Sequence, residues 1–483
     1  MKTERIRNLV TATMALGGIV FTAPAVAQAA PPPAPPMSWT GLYGYVGGGF
    51  GMWTGDTTTL EPNTGLCHLC VPQTQGGSGG FGRIGFGFDY QATPQIVGGV
   101  FADFDFSNIQ GTIQDQEPFA VGRITQDRSF AVGARAGWLL TPEVMPFIEG
   151  GFTQAHFSSA AIVSSFNGAN IAGFATPAFV HGGWFIGAGA ETMIIPNWYL
   201  RGEYRYSDYG MKSLPEAVPA GTLFRVNFHP TTQTFGVALK YKFDKWDALP
   251  DASPLPATAA APVNWTGFYV GAGGGYGMWT ADTTTQVPGS GVCILCQTQT
   301  QGGNGGFGTI GGGFDYQFTE HLVAGVFGDV DLGSITGTIQ DQGPFFAGRL
   351  SNDRTFAFGA RAGYLVTPAI LPFVDVGFTQ AHFDKATMVD TEANGNNPTG
   401  FSTPAFSTSG WFVGLGAEAQ IFPSIPGLAV RGEYRHAEYG GKSLSDTCGG
   451  ASCTFPTPQA NITFRPSSET FRLQLVYKLN PFR

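Results

Sequence analysis

The sequence predicts an all-β protein: two tandem eight-stranded antiparallel transmembrane β-barrels. Three observations carry that expectation: an export leader, an end-to-end duplication, and period-two alternation with short and long connections in turn. Of 483 residues, 71 are Gly and 12% are charged, where an average soluble domain carries far less glycine and far more charge. That balance excludes an ordinary cytosolic enzyme as the first reading. A 43% hydrophobic and 13% aromatic content excludes disorder, and no Gly-X-Y period points to collagen.

Residues 1–29 read as a signal peptide. MKTERIRN is a basic opening, LVTATMALGGIVFTA an apolar run, and APAVAQAA offers small-residue cleavage sites after Ala27 or Ala29. The run is too short for a membrane-spanning helix, and a Pro-rich spacer, residues 30–38, follows. Removing the leader takes away Lys2, Arg5 and Arg7 against Glu4, which moves the formal charge from -9 to -11. No later stretch is long and apolar enough to span a bilayer as a helix. The mature chain is therefore expected either to be soluble outside the cytoplasm or to cross the membrane with strands.

WTGLYGYVGGGFGMWTGDTTT from Trp39 returns as WTGFYVGAGGGYGMWTADTTT from Trp265, an offset of 226 residues. The same offset relates GARAG at Gly133 to Gly359 and GFTQAHF at Gly151 to Gly377. Small insertions then shift it to 230 for RGEYR (Arg201, Arg431) and 236 for the last strand (Phe235, Phe471). One module, residues 39–243, is thus repeated over 265–483. A Pro/Ala-rich linker, residues 244–264, lies between.

In the first module strands are predicted near 41–53, 79–92, 96–109, 125–140, 146–158, 181–194, 198–212 and 223–243. Short Pro-marked turns such as Thr93-Pro94-Gln95 alternate with longer segments near 54–78, 110–124, 159–180 and 213–222. Short turns at one end and long loops at the other distinguish an outer-membrane barrel from the alternative, a soluble β-sandwich.

The alternation assigns the charges. In the last strand Phe235, Val237, Leu239, Tyr241 and Phe243 share one face while Lys240 and Lys242 share the other. An Arg or Lys facing lipid at the midplane costs about 2–4 kcal/mol, so the charged face is expected inward. Applied throughout, this parity gives the first barrel six acids (Asp89, Asp103, Asp105, Glu149, Glu191, Glu203) and six bases (Arg83, Arg135, Arg201, Arg205, Lys240, Lys242). The second receives six acids (Asp315, Asp329, Asp331, Asp375, Glu418, Glu433) and five bases (Arg361, Arg431, Arg435, Arg472, Lys478). Thr309 stands where Arg83 would recur, and Arg472 on the last strand is the expected compensation. An eight-stranded barrel has an interior just wide enough for side chains, so paired charges are expected to plug it. Inward glycines on the first strand (Gly47, Gly49, Gly51; Gly271, Gly273, Gly275, Gly277) leave room for them. Trp39, Tyr43 and Trp53, with Trp265, Tyr269 and Trp279, are expected to form aromatic girdles at headgroup depth.

WTGFYVGAGGGYG (Trp265–Gly277), RGEYRYSDYG (Arg201–Gly210), RGEYRHAEYG (Arg431–Gly440) and TFGVALKYKF (Thr234–Phe243) resemble the alphaproteobacterial outer-membrane immunogenic-protein and porin-like β-barrel family, related in fold to the OmpA transmembrane domain. The resemblance covers each module nearly whole. It implies barrels that support the envelope and expose antigenic loops. The duplication departs from that pattern, as does the ending Asn480-Pro481-Phe482-Arg483 where an aromatic residue is usual.

CHLC (Cys67, Cys70) and CILC (Cys293, Cys296) lie in the first long loops, outside any βαβ context and in an exported chain. Disulfides are expected there rather than zinc or redox chemistry, with a third between Cys448 and Cys453. GFGRIG at Gly80–Gly85 is read as a strand rather than a nucleotide loop. His156 is followed by Ser158, but Asp384 replaces that serine in the repeat and no acid completes a triad. No catalytic residue, metal or cofactor is expected.

The leading expectation is therefore a structural or surface-interactive outer-membrane protein. A fused sixteen-stranded diffusion porin is the alternative, and a lipid-acting barrel enzyme the third reading. Expected partners are outer-membrane lipid and lipopolysaccharide, the barrel insertion machinery and an unspecified host or surface ligand at the loops, but no nucleic acid.

Overall fold

The computed structural model describes residues 38–60, 64, 67–114, 120–216, 224–243, 264–340, 346–391, 398–421, 425–449 and 460–479. The leader, nearly all of both spacers, Cys453 and the last four residues lie outside them.

Eight long strands make up the first module: β1 (Gly41–Leu60), β2 (Cys67–Gln91), β3 (Ile96–Gln114), β4 (Ala120–Trp138), β5 (Val144–Phe157), β6 (Phe179–Ile195), β7 (Trp198–Asp208) and β8 (Phe224–Lys242). Each pairs antiparallel with the next, and β8 returns to β1 from Tyr43↔Lys242 to Leu60↔Arg225. The second module repeats this with β9 (Gly267–Gln286), β10 (Cys293–Gln317), β11 (Leu322–Gln340), β12 (Phe346–Tyr364), β13 (Ile370–Phe383), β14 (Phe406–Ala419), β15 (Leu428–Tyr439) and β16 (Asn461–Leu479). Its last strand closes on β9. Strand pairing therefore closes two rings of eight.

At one end the connections are tight. The Thr93 hydroxyl accepts the Gln95 and Ile96 N–H groups, and Asn197 takes the left-handed φ of 67° that turns β6 into β7. At the other end the strands run further than the alternation suggested, and much of what reads as loop is sheet. Residues 54–60, 67–78 and 110–114 continue β1, β2 and β3, while Ala160–Ser164 and Asn170–Thr176 form a hairpin. The β-branched Thr run favours strand there, and polar residues along it bond one another, as the Gln75 amide donates to Gln114, whose own amide donates to Gln299 of the second module.

Outward rows in the turn-end half are apolar and bare. Phe86 is 68% exposed and Ile148 67%, and Phe358 repeats the pattern at 62%. The barrels touch along one side, where a β-bridge joins Gln75 to Gln301 and Tyr204 stacks on Phe471.

Candidate functional site

The interior of each barrel gathers nearly every buried charge, in layers. Nearest the turn end of the first barrel, Trp39 packs with Val97, Leu139, Met145 and Tyr199, and its indole N–H donates to the Pro142 carbonyl. Above it Arg135 forks onto Asp89 (2.9 and 2.5 Å) and reaches Glu191 at 2.6 Å. Lys240 bonds the same two carboxylates at 3.0 and 2.7 Å. Arg201 then links Glu191 (2.9 Å), Glu149 (2.7 Å) and Glu203 (2.5 Å). Arg205 bonds both oxygens of Asp103, together with Glu149 and Glu203. Arg83 forks onto Asp105 (2.6 and 2.8 Å) and reaches Glu203 at 2.6 Å. Eleven charged side chains thus form one continuous chain of ion pairs along the lumen. Guanidinium planes also lie over aromatic faces, Arg201 over Phe147 at 4.4 Å and Arg205 over Phe185 at 4.5 Å. At the loop end Trp53, Ile109, Phe157, Phe179 and Phe228 pack into an apolar cluster.

Lys242 stands half-buried at the turn end, where Nζ donates to the Ser38 carbonyl, and Lys240, one pleat further in, makes the pairs with Asp89 and Glu191. The second barrel solves the same problem with Lys478, which bonds Asp315 at 2.5 Å and lies 3.5 Å from Glu418.

The second lumen holds its charges in two groups. Arg361 and Lys478 clasp Asp315 and Glu418, and Arg431 forks onto Glu418 at 2.9 and 2.6 Å. Further up, Arg435 bonds Asp329 and Glu433, and Arg472 reaches Asp329 (3.2 Å) and Asp331 (3.0 Å). Among the described residues no ion pair within 4 Å joins the groups. Asp375 lies 3.9 Å from Arg435, and its Oδ1 has no hydrogen-bond partner. Asp331 Oδ1 and Arg472 Nε are also unpartnered and line a cavity of about 20 Å³, room for one water.

The six aromatic residues expected at headgroup depth are a correction. Trp39, Tyr43, Trp53, Trp265, Tyr269 and Trp279 are all buried, pointing into the lumens. They share the inward parity of Gly47, Gly49 and Gly51, and each of four lies over a cross-strand glycine: Tyr43 over Gly87, Trp53 over Gly77, Tyr269 over Gly313 and Trp279 over Gly303. A methyl group at Gly77 would sit 2.4 Å from the Trp53 indole nitrogen, so the missing side chain makes the ring's seat. Among the described residues the exposed tryptophans are instead Trp138, Trp184 and Trp411.

Cys67 bonds Cys70 and Cys293 bonds Cys296, with Cα separations of 5.3 and 5.4 Å. Cys448 is also disulfide-bonded. His156 Nδ1 lies 2.6 Å from Asp127, and the Ser158 hydroxyl accepts the Thr125 N–H. In the repeat Asp353, His382 and Asp384 bring one ligand atom each within 4.8 Å of the others, a set able to touch a cation, though Arg354 already bonds Asp353 at 2.9 Å.

Closed eight-strand rings with an apolar outer band and an ion-paired interior define an integral β-barrel of the bacterial outer membrane. The chain belongs to the outer membrane protein beta-barrel domain family, whose model matches twice, over residues 14–243 and 252–478. It is similar to the 31 kDa outer-membrane immunogenic protein of Brucella melitensis biotype 1, 32% identical over 237 residues, which span 47% of this chain and 91% of that protein. It is also similar to the 25 kDa outer-membrane immunogenic protein of the same organism, 28% identical over 246 residues, 49% of this chain and 99% of that one. Among solved structures, the outer membrane protein OprG from Pseudomonas aeruginosa aligns over 45% of this chain and all of its own, at 10% identity and a TM-score of 0.30. Each Brucella relative thus corresponds to about one module, and the protein resides in the outer membrane.

Proposed function

We propose that the protein is a structural, surface-presenting component of the outer membrane whose two lumens are closed to solutes. The observation that carries this reading is the unbroken run of ion pairs from Asp89 to Asp105, capped by Trp39 at one end and the Trp53 cluster at the other. A solute would have to strip several charge-assisted hydrogen bonds inside a ring that has no spare width. The return of β8 to β1 supports two narrow lumens over one wide channel.

The loop ends, clasped by Cys67–Cys70 and Cys293–Cys296, are the parts offered to the surroundings. The bare apolar rows are seats for outer-membrane lipid and lipopolysaccharide, reached through the barrel insertion machinery, and a host or surface ligand would meet the loops. No catalysis is assigned: Asp127 orients the His156 ring, but the partner of the Ser158 hydroxyl is the Thr125 N–H and not His156.

Reconstitution in planar bilayers tests the reading. The expected record is a quiet baseline, and large steady conductance would overturn closed lumens.

A further inference from the structure

The outward row of β1 is not evenly bare. Val46 is 59% exposed, whereas Met52, on the same face, is fully buried, and on β9 Val270 and Met278 repeat the contrast. Beside Met52 on the same face, the Thr54 hydroxyl accepts the Asn304 amide of the other barrel at 2.8 Å, and the contacts between the barrels come in reciprocal pairs. The Thr74 N–H donates to the Thr338 hydroxyl at 2.8 Å, and the Thr300 N–H donates to the Thr112 hydroxyl at 2.8 Å. Thr74 and Thr300 are the same module position, as are Thr112 and Thr338. Lower down, Tyr204 stacks on Phe471 with centroids 4.4 Å apart, and Phe235 stacks on Tyr434 at 4.2 Å. These too are the same two positions with the roles exchanged. Between the halves Gln75 bridges Gln301, its own repeat counterpart, as required of a residue on a two-fold axis.

When position i touches j and j touches i, the surface is isologous, the geometry of a symmetric dimer. We infer that each barrel module carries a self-complementary face whose partner is a second copy of the same module, and that this chain is such a pair joined covalently. Tyr and Phe occupy the stacking positions in both modules, so the face does not depend on which module supplies it. The modules differ beside it, where His436 and Glu469 bond at 2.5 Å in place of Tyr206 and Gln233. The stacks and the Thr pairs are unbroken by that difference.

The test uses the full chain with a protease site placed in the linker and the pair Gln75→Cys/Gln301→Cys. Bridge partners lie about 4.5–5.5 Å apart at Cα, inside the range a disulfide spans. After cleavage, a non-reducing gel is expected to keep the two halves as one band that reductant splits. Halves that separate without reductant would overturn the shared face. Tyr204→Cys/Phe471→Cys, lower in the seam and joined by a short reducible bis-thiosulfonate reagent, reads the same contact should the first pair fail to fold. Self-complementarity is read separately, in a chain whose second module is replaced by another copy of the first carrying Gln75→Cys twice. The same crosslink is expected. A folded, heat-modifiable chain whose halves separate would overturn that part.

Discussion

Asp375 stands where the first barrel has Glu149, and the missing methylene divides the second lumen's charges. Glu149 reaches both Arg201 and Arg205, whereas Asp375 comes no nearer than 3.9 Å to Arg435 and leaves an oxygen unpaired. Asp375→Glu is therefore expected to stabilise the second barrel by about 1–3 kcal/mol, the cost of an unsatisfied buried acceptor. A rise in its denaturant midpoint checks this, and an unchanged midpoint would count against the account. A second exchange is a change of strand. Arg83 reaches Asp105 from β2, while Arg472 reaches the equivalent Asp331 from β16, where the first module has Gly236. Arg472→Gly alone is expected to cost about 3–5 kcal/mol by leaving Asp331 buried without its cation. Adding Thr309→Arg is expected to recover much of that loss, and a double-mutant cycle showing simple additivity would sink the idea.

The strand that closes each ring depends on close approach. At Gly49 an added methyl carbon would lie 1.8 Å from the Phe235 carbonyl oxygen, so β8 cannot seat against β1 beside any larger residue. Gly49→Val is expected to abolish the heat-modifiable gel shift. Gly98→Val, where nothing lies within 4 Å of the added atom, serves as the tolerated control. The same elements explain what the sequence reveals. Alternation is legible because a strand shifted by one residue would turn Arg201, Glu203 and Arg205 toward lipid, at several kcal/mol, whereas ring closure is not, because β9 nearly copies β1 and offers β8 the same edge. The six inward aromatics are less legible, since a ring suits a headgroup layer and a lumen equally well. Their cross-strand glycines, Gly77 and Gly87 among them, were the available signal. Lys242 sits beside Tyr43 as Lys478 sits beside Tyr269, but in the first module Lys240 supplies the cation for Asp89 and Glu191, at the position where the second module has Val476.

At the scale of the molecule, duplication doubles the number of lumens without widening either. Diameter follows the strands in a ring: a ring of eight has an interior just wide enough for side chains, whereas sixteen strands in one ring would open an aqueous channel. The conductance measurement separates these outcomes most directly. The covered face was hidden from sequence for a simple reason: Tyr204, Phe235 and Met52 are outward apolar residues, and such residues read alike whether lipid or protein lies against them.

The way the barrels meet has a geometric corollary. Loop-end residues of one touch loop-end residues of the other, as Cys70 N–H does with the Thr391 carbonyl and Cys296 N–H with that of Ser165. Mid-barrel rings likewise touch mid-barrel rings, so both modules point the same way. Every surface segment shared by the repeats is therefore displayed twice on one side of the membrane, at a spacing set by the seam. A two-armed receptor that recognises such a segment meets both copies on a single molecule, and its second arm binds at the effective concentration of an intramolecular step.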